Sequence, residues 1–141
     1  MKLINAWLAA TSCMTLFSYV FYYLTKKESR EPYLLNRIIF NKFDRFKKFK
    51  GHTILGWILH YLLGIAFIGL NLFLFEITGL RPHPIWGIPF GIIAGLLGVA
   101  GWSILFRITS YSIKINFRIF YLQLVAAHIV FCLTSIFIHN H

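Results

Sequence analysis

Acidic side chains are scarce in this 141-residue chain, which has four Asp and Glu against 14 Lys and Arg. None of the four falls inside a long apolar segment. That argues against a carboxylate-driven proton pump, and it leaves acyl or glycosyl chemistry without the base or nucleophile it needs. Cysteine is sparse too. Cys13 and Cys132 both sit in apolar segments, form neither a disulfide framework nor a zinc-ligand pattern, and read as small packing residues. Charged residues make up 13% of the chain, about half the share in an ordinary soluble domain. No catalytic signature is present.

What is present is apolar length: 58% of residues are hydrophobic. Four segments, about Leu3–Leu24, Thr53–Phe75, Pro84–Phe106 and Ile119–Ile138, each reach the roughly 20 residues that a helix needs to cross a hydrocarbon core. The chain therefore reads as all-α, a single four-helix transmembrane unit over residues 1–141. Lys2 ahead of an apolar run resembles a signal peptide. The run, however, continues past Cys13 through Phe17, Val20, Phe21 and Tyr23, longer than the usual apolar core of such leaders. An uncleaved helix is expected.

The net charge of +10 would suggest nucleic acid in a soluble protein, but its placement points to a membrane. Nine Lys and Arg lie between the first two segments, and Arg107, Lys114 and Arg118 lie between the last two. Lys2 and Arg81 stand alone on the opposite side. Basic residues accumulate in cytoplasmic loops, so both connections are expected in the cytoplasm and both termini outside. In a bacterial inner membrane this makes the termini periplasmic. No nucleic-acid partner is expected.

The connection over residues 25–52 has a pattern of its own. Glu31-Pro32 suits a helix start, since proline is tolerated in the first turn. Leu35, Ile39, Phe43, Phe46 and Phe49 then recur at helical spacing. Between them, Arg37, Lys42, Arg45, Lys47 and Lys48 supply cations. Such a basic amphipathic helix is expected on the cytoplasmic side at the headgroup boundary, with its cations at anionic lipid phosphates. A docking site for a partner protein or a specific lipid is the sharper alternative.

Two histidines, His60 and His128, lie within the second and fourth segments. An ionisable group at membrane depth is costly and marks either a functional site or a polar packing contact. Gly56, His60, Gly64, Phe67 and Asn71 share one helical face. Gly87, Gly91, Gly95 and Gly98 form a small-residue ridge on the third segment, where close van der Waals contact drives helix association. Pro89 is expected to kink that helix slightly. Counting about 1.5 Å per residue from the helix starts puts His60 and His128 at similar depth, with Thr15 and Gly98 alongside and Gln123 near. Three readings follow for this layer: neutral imidazoles hydrogen-bonding within the bundle, a ligand site for haem b or a quinone headgroup, or a metal or proton-relay site. Two histidines leave a catalytic metal one protein ligand short of the usual three, so no metal is expected.

The run Glu31-Pro32-Tyr33-Leu34-Leu35-Asn36, then Gly51-His52, Gly56-Trp57, His60-Tyr61 and Gly64, the glycine-rich third segment, and Gln123 with Ala127-His128 together resemble small bacterial inner-membrane proteins of unknown function with a YagU-like layout. The resemblance implies membrane location and four helices, and it brings no catalytic residues. The expectation from sequence is a non-enzymatic integral membrane protein, a homo-oligomer or an accessory subunit of a larger assembly. The rivals are a haem b- or quinone-binding protein using His60 and His128, and a small transporter, channel or lipid-acting enzyme.

Overall fold

A computed structural model describes residues 2–42, 54–109 and 115–140. The described residues are helical, with no strand among them. Each of the four prolines lies either outside a helix or within the first three residues of one, so no helix interior is broken. The helices are α1 (Lys2–Thr25), α2 (Glu31–Lys42), α3 (Leu55–Thr78), α4 (Gly87–Thr109, preceded by a 3-10 turn at Pro84–Trp86) and α5 (Phe117–Asn140). α1, α3, α4 with its leading turn, and α5 are long and apolar enough to cross a membrane. Pro89 is the third residue of α4, where its amide would have had no helical acceptor. Pro89 therefore breaks no hydrogen bond within α4, which removes the usual cause of a kink there.

Local signals set the ends. α1 stops where Lys26 turns left-handed (φ 57°), with the Thr25 hydroxyl bonded back to the Phe21 carbonyl. α3 stops at Gly79 (φ 63°), a conformation glycine adopts without steric penalty. The Asn116 side chain caps α5 by accepting from the Ile119 amide.

Packing inverts the arrangement of a soluble bundle. Buried positions on α1 and α5 include Ala6, Ala10, Thr11, Thr15, Ser18, Gln123, Ala127, His128 and Ser135, while Leu16, Leu24, Leu62, Leu96, Leu97 and Leu122 face outward. α5 is the central post, packed on α1 along one side and α4 along the other. The glycine ridge makes the second contact possible. A Cβ on Gly91 or Gly95 would run into the α5 backbone at Ile129 and Val125, at 2.7 Å from the Val125 Cα in the second case, and one on Gly87 would meet the Leu133 side chain. The ridge is thus consumed within the chain and offers no surface to a second copy. Gly64 admits Thr11 of α1 in the same way, and Gly56 admits Pro32 and Asn36 of α2.

α2 departs from the expected headgroup connector. Leu34, Leu35 and Ile38 are buried with Trp102, Phe120 and Leu124 of α4 and α5, so the helix is wedged into one end of the bundle. Two polar contacts explain why. α3 begins without a side-chain cap at Ile54, and Asn36 Oδ1 accepts the Gly56 amide of its first turn at 2.8 Å. Glu31, at the start of α2, points inward to α1 and α5. Of the residues expected at lipid headgroups, Arg37 is half-buried over the Tyr33 ring at 5.7 Å. Arg45, Lys47 and Lys48 lie outside the described residues, as does the side chain of Lys42.

Candidate functional site

α3 and α4 touch each other only sparsely. Between them lies a cavity of about 340 Å³. Its walls are Leu63, Gly64 and Phe67 of α3; Leu97, Gly98, Gly101, Trp102 and Leu105 of α4; Leu124 and Phe131 of α5; and Met14 and Leu35. Three ionisable side chains join that apolar lining: Glu31, His60 and His128. Leu63 and Leu97 stand on either flank, each about half exposed (49% and 52%), so the cavity opens sideways between α3 and α4.

Helix register positions the histidines. His60 Nε2 lies 2.9 Å from Thr15 Oγ1, and that hydroxyl donates its one proton to the Thr11 carbonyl at 2.6 Å. Thr15 must therefore accept, which fixes His60 as the Nε2–H tautomer. His128 Nδ1 lies 2.8 Å from the carbonyl of Leu124, one turn back, so Nδ1 carries the proton and Nε2 is a bare acceptor. That Nε2 is buried and has no partner. Gly98 leaves room for the ring, since a Cβ there would lie 2.9 Å from His128 Cε1. The edge of Phe67 packs against the ring at a centroid distance of 4.6 Å. A haem held by both imidazoles would require two free Nε2 lone pairs, and His60 commits its Nε2 to Thr15.

Glu31 is the site residue that sequence reasoning missed. It is 2% exposed, and its Oε1 accepts from Ser18 at 2.8 Å and from Gln123 Nε2 at 3.5 Å. Gln123 also donates to Ser18 at 2.7 Å, so Gln123, Ser18 and Glu31 form one chain of hydrogen bonds. Gln123 thus serves the carboxyl rather than the histidine layer. Glu31 Oε2 has no partner. Nor, among the described residues, is there a cation beside it. The neighbouring Arg30 is held by both oxygens of Glu28, at 2.9 and 2.8 Å, and is stacked on Tyr22 and Tyr33. Burial pushes the Glu31 carboxyl up from 4.5 to about 7, against the opposing pull of its own amide, Ser18 and Gln123. The chain therefore does bring an acid to the histidines, from a loop-proximal helix. The signal available in sequence was Glu31-Pro32 itself, a carboxylate at a helix start in a segment with few others.

The four residues expected to gather at one depth end up in three places. Thr15 pairs with His60, His128 stands across the cavity, and Gln123 joins Glu31 and Ser18. A second, smaller polar contact, Asn71 to Ser135 at 2.7 Å, ties α3 to α5 near the chain termini. Among the described residues, no three His, Cys, Asp or Glu side chains are grouped as a metal would require. Comparison with protein-family models, curated proteins and solved structures finds no match. Function has to come from the geometry.

Proposed function

We propose that this chain is a non-enzymatic, multi-pass protein of a bacterial cytoplasmic membrane that takes a small amphiphile from the lipid phase into the cavity between α3 and α4. One observation carries the reading: a cavity of about 340 Å³, apolar on most sides, is lined by two residues that each keep a buried polar atom without a partner, Glu31 at Oε2 and His128 at Nε2. Ligand pockets have this composition and lie in the range of roughly 300–1,000 Å³, with a few placed polar groups fixing the orientation of an otherwise apolar guest. The sideways opening at Leu63 and Leu97 suits a guest already dissolved in lipid.

The outward-facing Leu and Ile side chains support a lipid environment, since a soluble protein rarely exposes so much contiguous apolar surface. The basic connections support a topology with α2 on the cytoplasmic side and both termini outside. They also support contact between residues 37–48 and anionic lipid. With the glycine ridge used internally, association with a second copy or another subunit would have to use other, outward-facing apolar surfaces of the helices.

Native mass spectrometry of protein extracted in mild detergent tests the reading. Wild type should carry a co-purified small amphiphile. Gly101→Leu should lose it, because Gly101 lines the cavity and a Cβ there meets nothing within 4 Å. Equal ligand occupancy in both proteins would contradict the reading.

A further inference from the structure

Two residues that line the cavity, Glu31 and His128, each keep a buried polar atom without a partner, and both atoms are acceptors, which constrains the guest. His128 Nε2 is an acceptor, because its ring proton is on Nδ1. Glu31 Oε2 accepts as a carboxylate, and only neutral donors reach the other oxygen. Among the described residues, no ionisable or charged group around that carboxyl supplies a cation. On α1, Ser18 donates neutrally and Tyr19 is a phenol. On the loop, Glu28 is itself acidic and keeps Arg30. Across the cavity, α3 offers His60 with its Nε2–H turned to Thr15, and α5 offers Gln123 and His128. The lining residues of α4 are uncharged. An anionic carboxylate buried without a cation is unstable unless it is protonated or a ligand brings the charge. Phe67 and Trp102 are among the lining residues, and aromatic rings attract a cation further.

Resting on the amphiphile-binding reading above, we infer that the guest is a lipophilic amine, bound as its ammonium with Glu31 as counter-ion and His128 as a second acceptor deeper in the cavity. The protons balance simply. A protonated Glu31 gives one proton to solvent as the ammonium binds, so one cation enters and one proton leaves. The basic end of the bundle repels cations, so the amine enters through the lateral opening with its tail still in lipid.

Since burial sets the Glu31 carboxyl near 7, the apparent affinity should rise with pH and level off above about 8. Between pH 5 and pH 8 the gain is about 90-fold, because at pH 5 only about one site in a hundred is unprotonated.

The probe is monodansylcadaverine, a primary amine on an aromatic group, compared with its N-acetylated form, which keeps shape and loses charge. Binding to protein in lipid nanodiscs is read by energy transfer from Trp102, with Trp102→Phe as the blank. The expected result is saturable binding of the amine with the stated pH dependence, at least tenfold weaker binding of the acetylated form, and release of about one proton per amine at pH 6. Glu31→Gln, which keeps the Ser18 and Gln123 contacts, should weaken amine binding at least tenfold at pH 8 and flatten the pH profile. If amine and amide bind equally and Gly101→Leu blocks both, the amine inference is wrong while the cavity still binds amphiphiles. If neither shows binding sensitive to Gly101→Leu, both proposals are wrong. The amine–amide comparison uses wild-type protein, so the test stands even if Glu31→Gln misfolds.

Discussion

Replacing single glycines by alanine should give opposite signs at different places in α3 and α4. At Gly95 the new methyl would lie 2.7 Å from the Val125 Cα, whereas non-bonded carbons rest at about 3.5–4.0 Å. A backbone atom cannot swing aside, so α4 and α5 must part by roughly 1 Å, and Gly87 and Gly91 on the same seam lose their contacts with it. Overpacking of this kind costs about 1–3 kcal/mol. Against it stands the gain of about 0.5–1 kcal/mol when alanine replaces glycine in a helix interior. The net expectation for Gly95→Ala is a loss of about 0.5–2 kcal/mol. At Gly69 and Gly101 an added Cβ meets nothing within 4 Å, so only the gain remains and these variants should be more stable by about 0.5–1 kcal/mol. Reversible unfolding in mixed detergent micelles, followed by far-UV circular dichroism, measures all three. If Gly95→Ala were as stable as Gly101→Ala, the tight α4–α5 seam would be refuted.

Three further outcomes are expected. Asn36→Leu removes the acceptor for the Gly56 amide and should cost about 1–2 kcal/mol. In that background a cysteine at Leu34, fully buried in the parent, should become reactive to a water-soluble maleimide as α2 loosens, and continued protection would count against the anchoring role. Thr15→Val leaves the His60 Nε2–H without its acceptor and should cost about 1–3 kcal/mol, while Thr15→Ser should stay within about 0.5 kcal/mol of the parent; equal losses would contradict the Thr15–His60 hydrogen bond. Stability should also depend on Glu31. Its folded carboxyl is raised from 4.5 to about 7, so between those values the folded state holds more protons than the unfolded state, and stability is full below pH 4.5 and falls as pH rises. The total contribution lost by pH 7 and above is about 3 kcal/mol, and Glu31→Gln should remove that slope in the same unfolding assay.

The sequence disclosed the span-length helices because apolar length is a local property that lipid reads directly. It also disclosed the closeness of Thr15 and His60, since rise per residue places groups at a depth once helix direction is known. It hid the partner of the glycine ridge, because a small-residue stripe specifies close approach without saying to which helix. It hid α2 for a different reason. The interleaved Lys and Arg read as a headgroup helix, and the buried face through Leu34, Leu35 and Ile38 depends on contacts with Trp102, Phe120 and Leu124, far along the chain. Glu31 followed α2 into the bundle and so escaped notice. The cavity itself is a gap between helices lined by residues from all five of them, and no single segment encodes it.

The central claim is that a guest lies between α3 and α4 against Glu31 and His128. An alkylamine carrying a diazirine in its tail, photolysed on the protein in nanodiscs and mapped by peptide mass spectrometry, tests it most directly. Saturable labelling should concentrate on Leu63–Phe67 and Leu97–Leu105 and disappear in Gly101→Phe. Labelling spread evenly over lipid-facing residues such as Leu16 and Leu122, and unchanged by Gly101→Phe, would contradict the claim.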